Sequence, residues 1–311
     1  MDLSLFREAQ KRIHPYVQKT PLIPCYALPH VRLFLKCEHL QATNSFKVRG
    51  AFNAILSLSP EARSRGVVTR SMGNFAQAVA YAAALLNIPA TIILPANVPI
   101  VKKEGVEKYK ARAILQEGGA RREQQVVEDI AAMDGLAILS PFNIPSVIEA
   151  AGALAMEIHE QLPSIHTYFG QVGGGGLMAG TSCAFKQLNP SIQTIAVEPE
   201  GANDFSQSRS RGTRIYLEKV DTIADGLRAS QVGDVPWPYL QKYVDEAVTV
   251  TDGEIIEAMQ LIYDKMGMIM EPSGVTSLAY AVKWCQKHRE DAVCILTGAN
   301  VDRSSFFSWV K

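Results

Sequence analysis

Short apolar runs recur along the chain and alternate with longer stretches that have the period of a helix. The runs that predict strands are RLFLK (32–36), GVVT (66–69), TIIL (91–94), AIL (113–115), LAIL (136–139), TYFGQV (167–172), TIAVE (194–198), VTV (248–250) and VCIL (293–296). Stretches such as NFAQAVAYAAALLN (74–87) and SVIEAAGALAMEIHEQL (146–162) predict helices with a broad buried side. Strands that alternate with helices predict βαβ units, and therefore an α/β fold with mostly parallel sheets flanked by helices.

Clusters of glycine and small polar residues follow several of these predicted strands. They are TNSFK (43–47), SMGN (71–74), GGGG (173–176) and TGAN (297–300), although a few residues separate the first cluster from its strand. In open α/β sheets, ligands bind beyond the carboxyl ends of the strands, where loops lead into helix N-termini. These four segments are therefore the candidate binding site.

The composition of the chain limits the class of partner. Of 311 residues, 47% are hydrophobic, which is enough for one elaborate domain or two closely joined ones. Lys plus Arg and Asp plus Glu are equal at 31 each, so no net charge favours nucleic acid or an anionic membrane. A small neutral or zwitterionic partner fits better. No apolar run approaches the ~20 residues that span a bilayer, and the start lacks the order of a signal peptide, so we expect a cytoplasmic protein.

The four successive glycines at 173–176 predict an anion site, because glycine lets several backbone N–H groups converge at a helix N-terminus. A P-loop is excluded, since Leu177 and the residues after it replace the required Gly-Lys-Ser/Thr. A nicotinamide-binding dehydrogenase stays open, because Gly174, Gly176 and Ala179 fit G-x-G-x-x-A and Glu198 ends a following strand. A tight turn with close helix packing is the third interpretation.

The segment SFKVRGAF (45–52) favours a different cofactor. Lys47 follows Phe46 and precedes an amphipathic helix, which is an unusual place for a solvated ammonium group. A lysine in partly apolar surroundings loses its proton more readily and can form a Schiff base with a carbonyl. A Schiff-base lysine combined with a phosphate-binding loop indicates pyridoxal phosphate, although a lysine taken alone is more often a surface residue.

The chain resembles the serine racemase and serine/threonine dehydratase (ammonia-lyase) family of fold-type II pyridoxal-phosphate enzymes. The resemblance covers nearly all residues, in order. The matching segments are KCEHLQATNSFKVRGA (36–51), SMGNFAQAVAYAA (71–83), VGGGGLMAG (172–180), VEPEGANDFSQS (197–208), IADGLRAS (223–230), EPSGVTSLA (271–279) and ILTGANVD (295–302). The resemblance implies a two-domain fold like that of the tryptophan synthase β chain, with a large cofactor-binding domain (1–62 and 146–311), a small mobile domain (63–145), and a homodimer.

The resemblance also implies roles for the cofactor residues. Lys47 would bind pyridoxal 5′-phosphate as a Schiff base and move the Cα proton, and Phe46 would pack against the pyridine ring. Gly173, Gly174, Gly175 and Gly176 would bind the phosphate through their amides. Thr297 would face the pyridine nitrogen, where a neutral hydroxyl leaves the nitrogen largely unprotonated and favours elimination. Asn74 would reach the phenolic oxygen of the cofactor.

The SMGN segment would bind the substrate carboxylate through Ser71, Met72, Gly73 and Asn74, at a helix N-terminus where an anion is favoured. Met72 departs from the family pattern, because racemases place there a serine that delivers a proton from the second face. A thioether is neither an acid nor a base. The sequence therefore predicts dehydration of a β-hydroxy amino acid, most simply L-threonine or L-serine, to a 2-keto acid and ammonia.

The sequence leaves alternatives to the dehydratase function open. The chain could be an amino-acid racemase with another proton source, or a protein that binds pyridoxal phosphate and turns over no amino acid. The family commonly has histidine where Phe75 stands and asparagine near Phe142, and these differences suggest a dehydratase for a bulkier substrate such as phenylserine or hydroxyaspartate. By the same resemblance, Glu198, the carbonyl of Ala202 and Asp204 match a divalent-cation site suited to Mg²⁺ or Ca²⁺.

Overall fold

The computed structural model describes residues 1–71, 73–96 and 100–310, which contain ten strands and thirteen α-helices. The strands are β1 (Leu22–Pro24), β2 (Leu33–Lys36), β3 (Val67–Arg70), β4 (Ala90–Pro95), β5 (Arg112–Gln116), β6 (Ala137–Leu139), β7 (Thr167–Gln171), β8 (Gln193–Pro199), β9 (Glu246–Val250) and β10 (Ala292–Ile295). The helices are α1 (Leu3–Ile13), α2 (Lys47–Leu56), α3 (Pro60–Arg65), α4 (Asn74–Leu85), α5 (Ile100–Glu107), α6 (Gly119–Asp134), α7 (Pro145–Gln161), α8 (Gly176–Leu188), α9 (Asp204–Arg211), α10 (Trp237–Tyr243), α11 (Asp252–Met266), α12 (Pro272–Cys285) and α13 (Arg303–Trp309).

Two sheets organise these elements. The larger sheet has the strand order β1-β2-β10-β7-β8-β9, and all of its neighbouring pairs are parallel except β1 with β2. The smaller sheet has the order β5-β4-β3-β6 and is entirely parallel. The α/β fold with mostly parallel sheets is therefore confirmed, and each of the predicted strands is present.

Local sequence signals explain where the helices begin and end. In α11, Thr251 and Glu254 form a capping box at the N-terminus, and Gly267 ends the helix with a left-handed φ of 68°. Helix α7 begins at Pro145, a residue whose fixed φ suits the first helical position. The side chains of Val147, Ile148 and Leu154 on this helix are buried.

The two sheets take their strands from different parts of the chain. The smaller sheet uses residues between 67 and 139, and the larger sheet uses strands on both sides of that segment. The domain boundaries predicted at residues 62/63 and 145/146, and the mobility of the smaller part, stay predictions. Within the described ranges, no helix combines the length and apolar character needed to cross a membrane.

The carboxyl ends of three parallel strands carry the polar clusters that the sequence marks as candidate sites. Residues 71–74 follow β3, residues 173–176 follow β7, and residues 297–300 follow β10. The fourth cluster, residues 43–47, is joined to the third by an isolated bridge between Ser45 and Gly298. The fold thus brings segments more than 250 residues apart into contact.

Candidate active site

Lys47 is the first residue of α2, and its surroundings differ from those of a surface lysine. Its side chain is half-buried, and its Nζ donates to the carbonyl oxygen of Pro141 at 3.1 Å and lies 4.8 Å from the centre of the Phe46 ring. Burial lowers the pKa of Lys47 from 10.5 to about 8, and the negative charge of Glu271 opposes part of that change. The amine is therefore available as a nucleophile or base near neutral pH.

A buried ionic network fixes the helix that carries Lys47. The guanidinium of Arg49 donates to Glu38 at 2.7 Å and to Glu157 at 3.1 Å, and all three side chains are at most 6% exposed. Lys36 pairs with the same Glu157 at 2.5 Å. Removing one member would leave a buried charge without its partner, which typically costs ~3–5 kcal/mol. The network thus holds the first turn of α2 in place.

The glycine loop lies between β7 and α8. Gly175 has a φ of +93°, a left-handed conformation that favours glycine. Among the described residues, no acceptor receives a hydrogen bond from the amide N–H groups of Gly173, Gly174, Gly175 or Gly176. Free N–H groups at a helix N-terminus suit a phosphate, so the loop fits the predicted cofactor.

Close packing is a second reason for glycine in this loop. A Cβ atom on Gly174 would lie 2.2 Å from the ring of Phe142, and one on Gly176 would lie 3.0 Å from its Cα. The residue before Phe142 is Pro141, the acceptor of Lys47, so the loop around residue 141 touches both the lysine and the glycines. The interpretation as a tight, closely packed turn therefore holds together with the anion-binding one.

Thr297 lies beside the lysine. Its carbonyl oxygen accepts from the N–H of Phe46 at 3.0 Å, and its hydroxyl, in a side chain 4% exposed, accepts from Gln171 at 2.6 Å. Gln171 is the last residue of β7 and stands two positions before the glycine loop. The structure thus brings together Phe46, Lys47, Thr297 and the glycine loop.

The predicted substrate segment also reaches this region, through Asn74. The side-chain amide of Asn74 donates to Glu271 at 2.6 Å and accepts from Asn300 at 2.8 Å. The Ser71 hydroxyl accepts from the N–H of Gly73 at 3.4 Å. Met72 lies outside the described residues. Asn74 therefore connects the first turn of α4 to loops of the larger sheet.

Two side chains of this region were not predicted as site residues. Glu271 accepts a hydrogen bond from Asn74, and its negative charge raises the pKa of Lys47 against the effect of burial. The buried side-chain amide of Gln171 donates to the hydroxyl of Thr297. The EPSG segment contains Glu271 and was recognised only as part of the family resemblance. Gln171 had a weaker signal, namely a polar residue at the end of an apolar strand directly before the glycines.

Phe75 does not line the site. Its side chain is 1% exposed and packs in the hydrophobic core beneath the smaller sheet, together with Phe52 and Val79. The hypothesis that Phe75 widens an apolar pocket is therefore replaced by simple core packing. Phe142 is half-buried against the glycine loop and is the one of the two aromatic rings that lies at the site.

The predicted cation residues form a separate buried cluster. Glu198, in β8, accepts from the N–H groups of Phe205 at 2.9 Å and Ser206 at 2.8 Å. Among the described residues, neither carboxylate oxygen of Asp204 accepts a hydrogen bond of good geometry, and the backbone N–H of Val232 only partly offsets the effect of burial on its pKa. Burial raises the pKa of Glu198 to about 8, with the charge of Asp204 adding to it, and burial raises the pKa of Asp204 to about 7. No cluster of three or more His, Cys, Asp or Glu side chains suited to a metal occurs within the described ranges, so a cation here would need carbonyl and water ligands as well.

Comparison with known proteins agrees with this geometry. Residues 13–298 match the family described as pyridoxal-phosphate dependent enzyme. Serine racemase from Oryza sativa subsp. indica is 39% identical over 97% of this chain and 91% of its own length. L-threo-3-hydroxyaspartate ammonia-lyase from Saccharomyces cerevisiae is 34% identical over 98% of this chain and 94% of its own length. The structure of maize serine racemase superposes with a TM-score of 0.94 and 39% identity, covering 99% of this chain and 96% of that one.

Proposed function

Because the chain belongs to the family of pyridoxal-phosphate dependent enzymes, we propose that it removes water from a β-hydroxy amino acid, with L-threonine and L-serine as the first candidates. Loss of water would give an enamine, and addition of water to its imine tautomer would release a 2-keto acid and ammonia. The observation that carries this proposal is that Lys47, whose pKa is lowered, and the glycine loop contact the same segment of chain. Lys47 donates to the carbonyl of Pro141, and the glycines, whose N–H groups have no acceptor among the described residues, lie against Phe142. A homodimer and a cytoplasmic location stay predictions from the sequence.

The chemistry of the site residues supports pyridoxal phosphate as the cofactor. The amides of residues 173–176 would hold the phosphate, the hydroxyl of Thr297 would face the pyridine nitrogen, Phe46 would pack on the ring, and Asn74 would reach the phenolic oxygen. When bound, pyridoxal phosphate withdraws electrons from the Cα of an attached amino acid and so makes its proton acidic.

The chain's own residues would perform two tasks during elimination. Ser71, Gly73 and Asn74 would hold the substrate carboxylate at the N-terminus of α4, where the helix dipole favours an anion. The Nζ of Lys47 would then accept the Cα proton, because its pKa of about 8 leaves part of the amine neutral at physiological pH. Met72 belongs to the same proposed carboxylate segment.

Racemisation is the second candidate, favoured by the 39% identity to a plant serine racemase. It needs an acid on the face of the substrate opposite the lysine. The position that would supply it carries Met72, whose thioether transfers no proton. We therefore place elimination first.

A panel of β-hydroxy amino acids tests the proposed function. We expect the cofactor-loaded protein to release keto acid from L-threonine or L-serine at least tenfold faster than from phenylserine, because Phe75 is buried in the core and adds no room to the site. L-threo-3-hydroxyaspartate belongs in the panel because a relative of 34% identity acts on it. The absence of keto acid from every substrate, with cofactor bound, would exclude elimination.

We also propose that Glu198, the carbonyl of Ala202 and Asp204 bind Mg²⁺ or Ca²⁺. The support is chemical: two buried carboxylates lie close enough for the charge of Asp204 to raise the pKa of Glu198, and Asp204 accepts no hydrogen bond of good geometry among the described residues. Unpaired buried carboxylates are costly, and hard divalent cations prefer such oxygen ligands. A bound cation would therefore stabilise the folded chain.

Thermal unfolding measures this cation effect. At a cation concentration about 100 times the Kd, linkage predicts ~2.7 kcal/mol of stabilisation, which is roughly 4 °C in Tm for a chain of this length. Asp204→Asn should lose the response and yet, without cation, be at least as stable as the parent, because it removes an unpaired buried charge. Asp221→Asn, at a carboxylate that is 76% exposed, should keep the response. An unchanged Tm of the parent in millimolar Mg²⁺ and Ca²⁺ would refute the cation site.

A further inference from the structure

Gln171 makes hydrogen bonds from both ends of a buried side-chain amide. Its Nε2 donates to the hydroxyl of Thr297 at 2.6 Å and to the carbonyl oxygen of Ser273 at 2.8 Å. Its Oε1 accepts from the hydroxyl of Ser277 at 2.7 Å. The side chain is 3% exposed, so no bulk water competes for these bonds.

The contacts fix which way the amide points. The backbone oxygens of Ser273, at 2.8 Å, and of Gly274, at 3.5 Å, are acceptors only, and therefore the end of Gln171 that faces them must be the NH₂ group. An amide NH₂ has no acceptor capacity. Thr297 consequently accepts from Gln171 and cannot donate to it.

This arrangement determines what the Thr297 hydroxyl can do. A hydroxyl has one proton to donate, and among the described residues the acceptor found for the Thr297 proton is the Ser273 carbonyl at 3.3 Å, beyond the usual O–H···O range. That carbonyl already accepts the shorter bond from Gln171. The hydroxyl proton is therefore available to a ligand atom that accepts hydrogen bonds more strongly than this carbonyl does.

We propose that Gln171 is a positioning residue that makes the Thr297 hydroxyl a hydrogen-bond donor to the pyridine nitrogen of the cofactor. The inference rests on the proposed function, since it requires pyridoxal phosphate in the site with its nitrogen at Thr297. A nitrogen that accepts a hydrogen bond from a neutral hydroxyl stays unprotonated. Gln171 thereby favours elimination over reactions that need a protonated ring.

The test is nuclear magnetic resonance of the holoenzyme loaded with pyridoxal phosphate that carries ¹⁵N in the ring. Thr297→Val removes the hydroxyl at nearly constant shape and gives the reference shift. Gln171→Met removes the NH₂ group that donates to Thr297, and it leaves the Ser273 carbonyl free to accept the Thr297 proton. The ¹⁵N resonance of the ring should therefore move in the direction seen for Thr297→Val. Gln171→Leu likewise removes the donor without adding a charge, should move the resonance the same way, and serves if Gln171→Met fails to fold.

Ser277→Ala is the matched control, because it removes a hydrogen bond to the other end of the same amide and leaves the bond to Thr297 in place. If the role of Gln171 were purely structural, Gln171→Met and Ser277→Ala should change the ¹⁵N shift equally. We expect Gln171→Met also to weaken cofactor binding roughly threefold to tenfold, the range for one hydrogen bond, and Ser277→Ala to leave the ¹⁵N shift unchanged.

The outcomes separate this inference from the reaction. If Gln171→Met and Gln171→Leu both keep the parental ¹⁵N shift while Thr297→Val changes it, the role of Gln171 alone is overturned. A parental shift in Thr297→Val overturns it as well, because Thr297 then does not face the nitrogen. If the Gln171 variants move the resonance while no substrate yields keto acid, the positioning role stands and the proposed elimination falls.

Discussion

Replacing Lys47 by alanine is expected to abolish keto acid formation, with a loss of roughly 10³-fold or more, and to abolish covalent attachment of the cofactor. The reason is that Nζ of Lys47 is both the proposed nucleophile toward the cofactor and the proposed base at Cα. Turnover assays and mass spectrometry after borohydride reduction measure the two losses. Reduction should label the peptide that contains Lys47 in the parent and no peptide in the variant.

Stability is the control for this prediction. The pKa of Lys47 is lowered to about 8 in the folded chain against 10.5 when unperturbed, so the folded state disfavours the charged amine and loses stability as pH falls from 10.5 through 8. Lys47→Ala should therefore unfold at the same or a slightly higher temperature than the apo parent at pH 7. Retained turnover in this variant, or a labelled peptide elsewhere in the chain, would contradict the assignment.

The second large effect is expected at Gly174. A Cβ there would lie 2.2 Å from the Phe142 ring, and the loop cannot withdraw freely because the carbonyl of Gly174 accepts from the N–H of Gly233. Overpacking of this kind costs ~1–3 kcal/mol, and the displaced amides should bind phosphate less well. We expect Gly174→Ala to weaken cofactor affinity at least tenfold, as measured by fluorescence titration of the apo-protein.

Two further variants separate the collision from a general glycine effect. Gly253→Ala, in α11, places its Cβ 3.7 Å from the nearest atom and should keep parental affinity and Tm. Adding Phe142→Ala to Gly174→Ala removes the colliding ring and should recover most of the lost Tm. If Gly174→Ala binds cofactor as the parent does, the glycine loop is not the phosphate site.

The strands of this fold could be predicted because buried parallel strands are nearly continuous apolar runs. TYFGQV is β7 almost to the residue, and TIAVE lies within β8. Strand β1 was missed, since it has three residues, is preceded by Pro21, ends at Pro24, and is the antiparallel edge strand where proline is tolerated. The family resemblance, which rests on motifs in sequence order, is likewise confirmed.

Only those parts of the site that lie in local sequence motifs, such as Lys47 and the glycine loop, could be predicted. The bonds of Gln171 to Thr297 and of Asn74 to Glu271 join residues 126 and 197 positions apart, and no local pattern encodes such contacts. The placement of Phe75 failed for another reason. Helix α4 is apolar around most of its surface, so its periodicity does not tell which side faces the cleft and which the core.

The most direct test of elimination is to give L-serine to the cofactor-loaded protein and to quantify keto acid, ammonia and D-serine in the same reaction. Because Lys47 is proposed to move the Cα proton on one face and Met72 offers none on the other, we predict keto acid and ammonia in equal amounts, at least tenfold above D-serine. D-serine that forms faster than keto acid would contradict this and would identify the chain as a racemase with another proton donor.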